Sequence, residues 1–119
     1  MAGPALTPPL ALEYLDELST DIRAAVVLGA DGKLAASSLD GDRGEQMRAL
    51  VLELLEQAGD AWGGDGDLGQ VEVGMTAGAV FAVRGHGWTV AVLTGRYALS
   101  SLMFYDLRSV VSDLGEATA

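Results

Sequence analysis

Cysteine is absent from the 119 residues. Its absence excludes a disulfide framework, a thiolate zinc site and a cysteine nucleophile together, and it fits a reducing compartment. Histidine occurs once, as His86 between two glycines. It has no second imidazole or thiol with which to hold a metal and no obvious serine partner, so a solvated turn residue is expected. Positive charge is scarce as well: seven Lys and Arg stand against 17 Asp and Glu, a formal net charge of −10. A surface this acidic repels phosphate backbones and anionic head groups, which argues against nucleic acid as the main partner. The acidity serves solubility, and it would also suit a basic patch on a protein. Long apolar runs are missing too. No window approaches a membrane span, and the stretch before Arg23 has neither the basic residues nor the apolar run of a secretory signal. A cytoplasmic protein without membrane insertion is expected.

What is present suffices for one domain. Half of the residues are hydrophobic, enough for a single core. A domain of this length still leaves much of its surface exposed, which invites further burial by self-association. Residues 1–8 read as a flexible tail, 9–115 as the domain and 116–119 as a second tail. Thr7 offers an N-cap, and Pro8 and Pro9 suit a first helical turn. A helix is expected over 9–19, with Leu12, Leu15 and Leu18 as a short stripe. The run 22–28 is short and β-branched; a turn at Ala30, Asp31 and Gly32 leads to a weaker, more polar strand over 33–38. Asp42 is placed as the cap of the next helix. On that helix Met47, Leu50, Val51, Leu54, Leu55, Ala58 and Trp62 recur at helical spacing. Strands over 69–76, 79–84 and 88–94 follow as a meander. A closing helix over 98–114 carries Leu99, Met103, Leu107, Val110 and Leu114 on one face.

The expected fold class is therefore α/β in the α+β sense, with element order α-β-β-α-β-β-β-α. Strands one and five are apolar on both faces, as strands covered on both sides must be. Strand two is short and polar and strand three alternates, so both read as edges. The resulting five-stranded, mostly antiparallel sheet has the order 2-1-5-4-3, with helices on both faces.

That element order, with Leu28–Leu34 reading LGADGKL and the meander QVEVGMTAGAVFAV, resembles the roadblock/LC7 family over residues 11–115. Profilin-like and longin-like domains share similar layouts. The resemblance implies a homo- or heterodimer in which second helices pack antiparallel and third strands meet edge to edge; here these are residues 45–61 and 70–75. It further implies, for bacterial members, binding of a small Ras-like GTPase, with no catalytic residues and no cofactor in the domain itself. A shortage of Asn, Lys and Ile beside abundant Ala and Gly fits a GC-rich bacterial genome. The bulky Leu50, Leu52, Leu54 and Leu55 depart from the Ala-rich second helix common in the family.

The residues add their own argument for dimerisation. On a helical wheel Leu52 falls outside the Met47–Trp62 stripe, with Ala49, between Glu45 and Glu56. An exposed Leu beside a small residue marks a contact surface, although single exposed apolar residues are common. Gln70, Val71, Glu72 and Val73 lie on an edge that must be paired or blocked, with Glu72 as blocking charge or dimer rim. Arg43, Gln46, Arg48 and Glu53 are candidates for partner binding. The two arginines either reach an acidic partner or a nucleotide, as an arginine finger does, or pair with carboxylates such as Glu45. Asp106 is placed at the rim of the last helix.

No metal site is expected. The groups Asp40, Asp42, Glu45 and Asp60, Asp65, Asp67 lack the spacing of a calcium loop. Neither Gly63, Gly64 and Gly66 nor Gly32-Lys33 is followed by the residues of a phosphate-binding loop. The expected function is a non-catalytic dimeric regulator of a small Ras-like GTPase. The alternatives are a dimeric scaffold without effect on hydrolysis, or a sensor with a pocket between sheet and helices.

Overall fold

The computed structural model describes residues 6–18, 21–58 and 69–114. Expectations for Trp62, for the acidic and glycine-rich run 59–68 and for both extreme tails lie outside them. The elements are α1 (Pro8–Leu18), β1 (Ile22–Leu28), β2 (Leu34–Ser37), α2 (Asp42–Ala58), β3 (Gly69–Met75), β4 (Gly78–Gly85), β5 (Trp88–Thr94) and α3 (Ser100–Leu114). The five strands form one sheet in the order β2-β1-β5-β4-β3, with every neighbouring pair antiparallel. This is the expected topology.

Two residues on from any buried side chain the chain returns to the same face of a strand, and the core divides accordingly. On one face Ala25, Val27, Phe81, Val83, Val90 and Val92 meet Ala11 and Leu15 of α1 and Met103, Leu107, Val110, Val111 and Leu114 of α3. Phe104 closes against Phe81 edge to face, with ring centroids 5.3 Å apart and planes at 79°. On the other face Ala24, Val26, Leu28, Ala82 and Ala91 meet Met47, Val51 and Leu55 of α2. Each large side chain removed from water here contributes roughly 2 kcal/mol.

Several local expectations shift. α2 begins at Asp42 itself, so Asp42 is a first-turn carboxylate near the positive end of the helix rather than its cap. α3 begins at Ser100; Leu99 precedes it and is 63% exposed, so it leaves the buried stripe and Val111 joins it. In α1 the buried face is Ala11 and Leu15, while Leu18 is exposed. Leu6 donates its backbone N–H to the Asp113 carbonyl at 3.1 Å and packs against the core. His86 is exposed in the β4–β5 turn with φ 54°, followed by Gly87 at φ 85°. Two successive left-handed residues make the turn whose twist matches a two-residue hairpin.

The largest correction concerns the rotation of α2. Gly44 is buried against β2; a Cβ there would lie 2.9 Å from Ser37 Oγ and 3.2 Å from its Cβ. The missing side chain lets the helix settle with residues 44, 47, 51 and 55 toward the sheet and 48 and 52 on the flank beside the β1–β2 turn. Leu52 is half-buried and packs against the core cluster under α2, not exposed on the far side. Leu50, expected inside, is 40% exposed, and Leu54 is half-buried.

Candidate protein interface

The sheet order leaves β3 at an edge, with no strand on its outer side among the described residues. Its pairing with β4 fixes where each side chain goes. Val71 and Val73 sit opposite Ala82 and Val80, and Ala82 belongs to the cluster under α2; both valines therefore lie on the α2 face, half-buried. Gln70 and Glu72 point the other way. Gln70 Oε1 accepts from Arg108 Nη1 at 3.1 Å, and Glu72 Oε1 accepts from Ser100 Oγ at 2.9 Å. Glu72 is thus tied to α3, a role that period-two alternation alone could not assign.

Above β1 and β2 lies α2. Arg48 fastens it to the β1–β2 turn: its Nε donates to the Gly32 carbonyl at 2.7 Å, and Nη1 lies 3.2 Å from Glu45 Oε1. The pairing with Glu45 is one of the two readings open from sequence; the bond to Gly32 is new. Leu52 stands beside the same turn, its Cδ atoms about 4 Å from where a Gly32 Cβ would be. At 100° per residue, Leu50 and Leu54 occupy the opposite flank. That flank looks away from the hairpin, over the β4–β3 half of the sheet where Val71 and Val73 lie.

The residues named from sequence therefore separate. Glu45, Leu52 and Glu56 share the flank that leans on the β1–β2 turn, away from β3. Gln46, Ala49 and Glu53 form the exposed crest, and Arg43 is exposed about two turns before Leu50, on the flank that carries Leu50 and Leu54. The apolar side chains on the flank of α2 that is turned toward the β3 side of the sheet are Leu50 and Leu54. Helical spacing assigns both to the core, because residues 50, 51, 52, 54 and 55 are all apolar and fill more than one helical stripe.

Nothing among the described residues gathers three or more metal-ligating side chains. Asp40 and Asp42 are both exposed. Among the described carboxylates Asp106 has a displaced pKa, raised by loss of solvent on α3. A cleft of about 300 Å³ lies beside Gly32, Leu52, Leu55, Arg84 and Thr89, and one of about 340 Å³ lies beside Arg23, Met75 and Leu93. Both are open depressions at the sheet ends. No described helix is long and apolar enough to cross a membrane.

No protein-family model and no curated protein matches the chain. Solved structures do. A roadblock/LC7 domain from Streptomyces avermitilis is 31% identical, with a TM-score of 0.63 over 77% of this chain and 81% of that one. A second roadblock/LC7 domain from the same organism is 23% identical, with a TM-score of 0.69 over 87% and 93%. The gliding protein MglB from Thermus thermophilus shares the fold at 11% identity, with a TM-score of 0.64 over 96% and 94%. With the helix layers, the 2-1-5-4-3 sheet and a relative above 30% identity in place, the chain belongs to the roadblock/LC7 domain family.

Proposed function

We propose that the protein is a non-catalytic homodimeric regulator that binds a small Ras-like GTPase and modulates its nucleotide cycle or location. The observation that carries the reading is that the seven-residue edge strand β3, whose outer side no strand covers among the described residues, and the Leu50–Leu54 flank of α2 are turned to the same side of the molecule. A second copy related by a twofold axis would pair β3 with β3 and set α2 against α2, covering both at once. The exposed crest of the two helices, with Gln46, Ala49 and Glu53, would then face outward as one platform, with Arg43 at its rim. Such a platform acts by holding the GTPase's switch loops in one arrangement and so shifting their population.

The engagement of Arg48 with Gly32 and Glu45 favours a second reading, a dimeric scaffold that leaves hydrolysis unchanged. It leaves Arg43 as the arginine at the start of α2 whose side chain is available to a partner. Single-turnover GTP hydrolysis by a small GTPase encoded beside this gene, with and without the purified protein, separates the two. A changed rate together with co-elution supports regulation. Co-elution with an unchanged rate supports the scaffold. Absence of both removes the GTPase as a partner.

A further inference from the structure

The face opposite α2 carries a second surface. Nine large apolar side chains are exposed among the described residues, and seven of them (Leu10, Tyr14, Leu18, Tyr97, Leu99, Leu102 and Tyr105) belong to α1, to α3 or to the segment leading into α3. They are not scattered. Leu10, Tyr14 and Leu18 recur every fourth residue, on the flank beside the buried Ala11–Leu15 face. Leu99, Leu102 and Tyr105 recur every third residue on the outer side of the chain entering and forming α3.

The two helices lie side by side and run in opposite directions. Leu6 at the start of α1 is bonded to Asp113 near the end of α3, and Asp21 just beyond α1 accepts from the Tyr97 N–H just before α3 at 3.0 Å. With right-handed helices on a common sheet face, this arrangement turns the Leu10–Tyr14–Leu18 flank toward α3 and the Leu102–Asp106 flank toward α1. The result is a shallow apolar groove between them. At 1.5 Å per residue it is about 16–22 Å long, the length of three to four turns of a third helix.

Charge beside the groove is of one sign. α1 contributes Glu13, Asp16 and Glu17 and no basic residue; α3 contributes Asp106 and Asp113. Its one arginine, Arg108, turns to the β3 side and donates to Gln70. The nearby Arg23 and Arg96 line clefts around Met75 at the sheet edge. Asp106 sits half-buried beside the apolar residues, without a hydrogen-bond or ion-pair partner among the described residues, and loss of solvent raises its pKa. A second copy of this chain would bring acid against acid here, at a cost. A cation would relieve it.

We propose that the α1–α3 groove docks a basic amphipathic helix of a partner protein, its apolar stripe on Leu10, Tyr14, Leu102 and Tyr105 and a Lys or Arg against Asp106. Recognition of this kind uses anchors at i, i+3, i+4 and i+7 on the docked helix. The groove lies on the opposite face of the sheet from α2, so it stands free of the proposed platform and does not depend on it.

The test uses a labelled synthetic peptide of about 18 residues built from leucine and lysine in that spacing, and its glutamate counterpart. Fluorescence anisotropy with the full chain should show the lysine peptide binding at least about tenfold more tightly than the glutamate peptide, with an affinity that falls as salt rises. Leu102→Ser with Tyr105→Ser should weaken it at least about fivefold, and Asp106→Asn should weaken it with the apolar contacts intact. Leu102 and Tyr105 are exposed and Asp106 is half-buried, and unchanged circular dichroism confirms the fold of each variant. Equal binding of the two peptides overturns the proposal, as does indifference to Leu102 and Tyr105. A change in sedimentation of the double variant without peptide assigns the groove to a second copy and also overturns it. Capture by anionic vesicles that the double variant abolishes would assign the groove to a lipid surface and overturn the proposal in the same way.

Discussion

Arg48 reaches sixteen residues back along the chain to donate its Nε–H to the carbonyl oxygen of Gly32 at 2.7 Å, locking the middle of α2 to the tip of the β1–β2 hairpin. A charged donor on a half-buried carbonyl is worth more than an exposed ion pair, and the accompanying contact with Glu45 adds little. Arg48→Met is expected to lower stability by about 1–2 kcal/mol, whereas Glu45→Gln should change it by less than about 0.5 kcal/mol. Urea denaturation followed by circular dichroism distinguishes them. Equal losses would show that the ion pair, rather than the bond to Gly32, holds the helix.

Gly44 sets the approach of α2 to the sheet. Alanine is the better helix former by about 1 kcal/mol, so Gly44→Ala would stabilise an unconstrained helix. Here its Cβ would meet Ser37 Oγ at 2.9 Å, and a net destabilisation of about 1–3 kcal/mol is expected from the forced shift. Ser37→Ala removes the closest atom and should recover part of the loss, so that the double variant is more stable than the sum of the two single changes. A stabilised Gly44→Ala variant would show that the contact yields at no cost.

Most of the fold was legible because its strands are simple. The continuous apolar runs of β1 and β5 announce central strands, and the alternation of β3 announces an edge; both follow from which faces are covered. The turn at His86-Gly87 and the stripe Met103, Leu107, Val110 and Leu114 were readable for the same local reasons. The rotation of α2 was not. Periodicity identifies a face only when apolar residues avoid the others, and the leucines and valine crowded into residues 50–55 fill adjacent stripes. What fixes the phase is the small volume of Gly44 against Ser37 and the reach of Arg48 to Gly32. Neither contact has a local signature in the sequence, and so Leu50 and Leu52 exchange places relative to the reading from spacing alone. The ties of Gln70 to Arg108 and of Glu72 to Ser100 were hidden likewise, since each joins residues far apart in the chain.

Asp106 gives the protein a dependence on pH with a definite sign. Loss of solvent raises its pKa in the folded state above the ordinary 3.8. The folded chain therefore holds that proton more firmly than the unfolded chain does, and this group's contribution to stability falls as pH rises from the ordinary carboxylate value through the raised one. Asp106→Asn should accordingly show a higher denaturation midpoint than the parent at about pH 7, with the difference shrinking as pH is lowered toward 3.8. Thermal melts across that range check it. A difference that is constant with pH would assign the effect to packing rather than to the charge.

The proposed dimer requires the flank of α2 that carries Leu50 and Leu54 to meet a second copy beside the β3 edge. Sedimentation equilibrium of the wild-type chain with Leu54→Asp and Leu52→Asp tests this most directly. The wild type should sediment as two protomers, and Leu54→Asp as one protomer with native circular dichroism. Leu52→Asp, which places a charge against the core cluster under α2, should lose folded structure. A wild-type chain that remains a single protomer at high concentration, or a Leu54→Asp variant that stays paired while a folded Leu52→Asp variant separates, would contradict it.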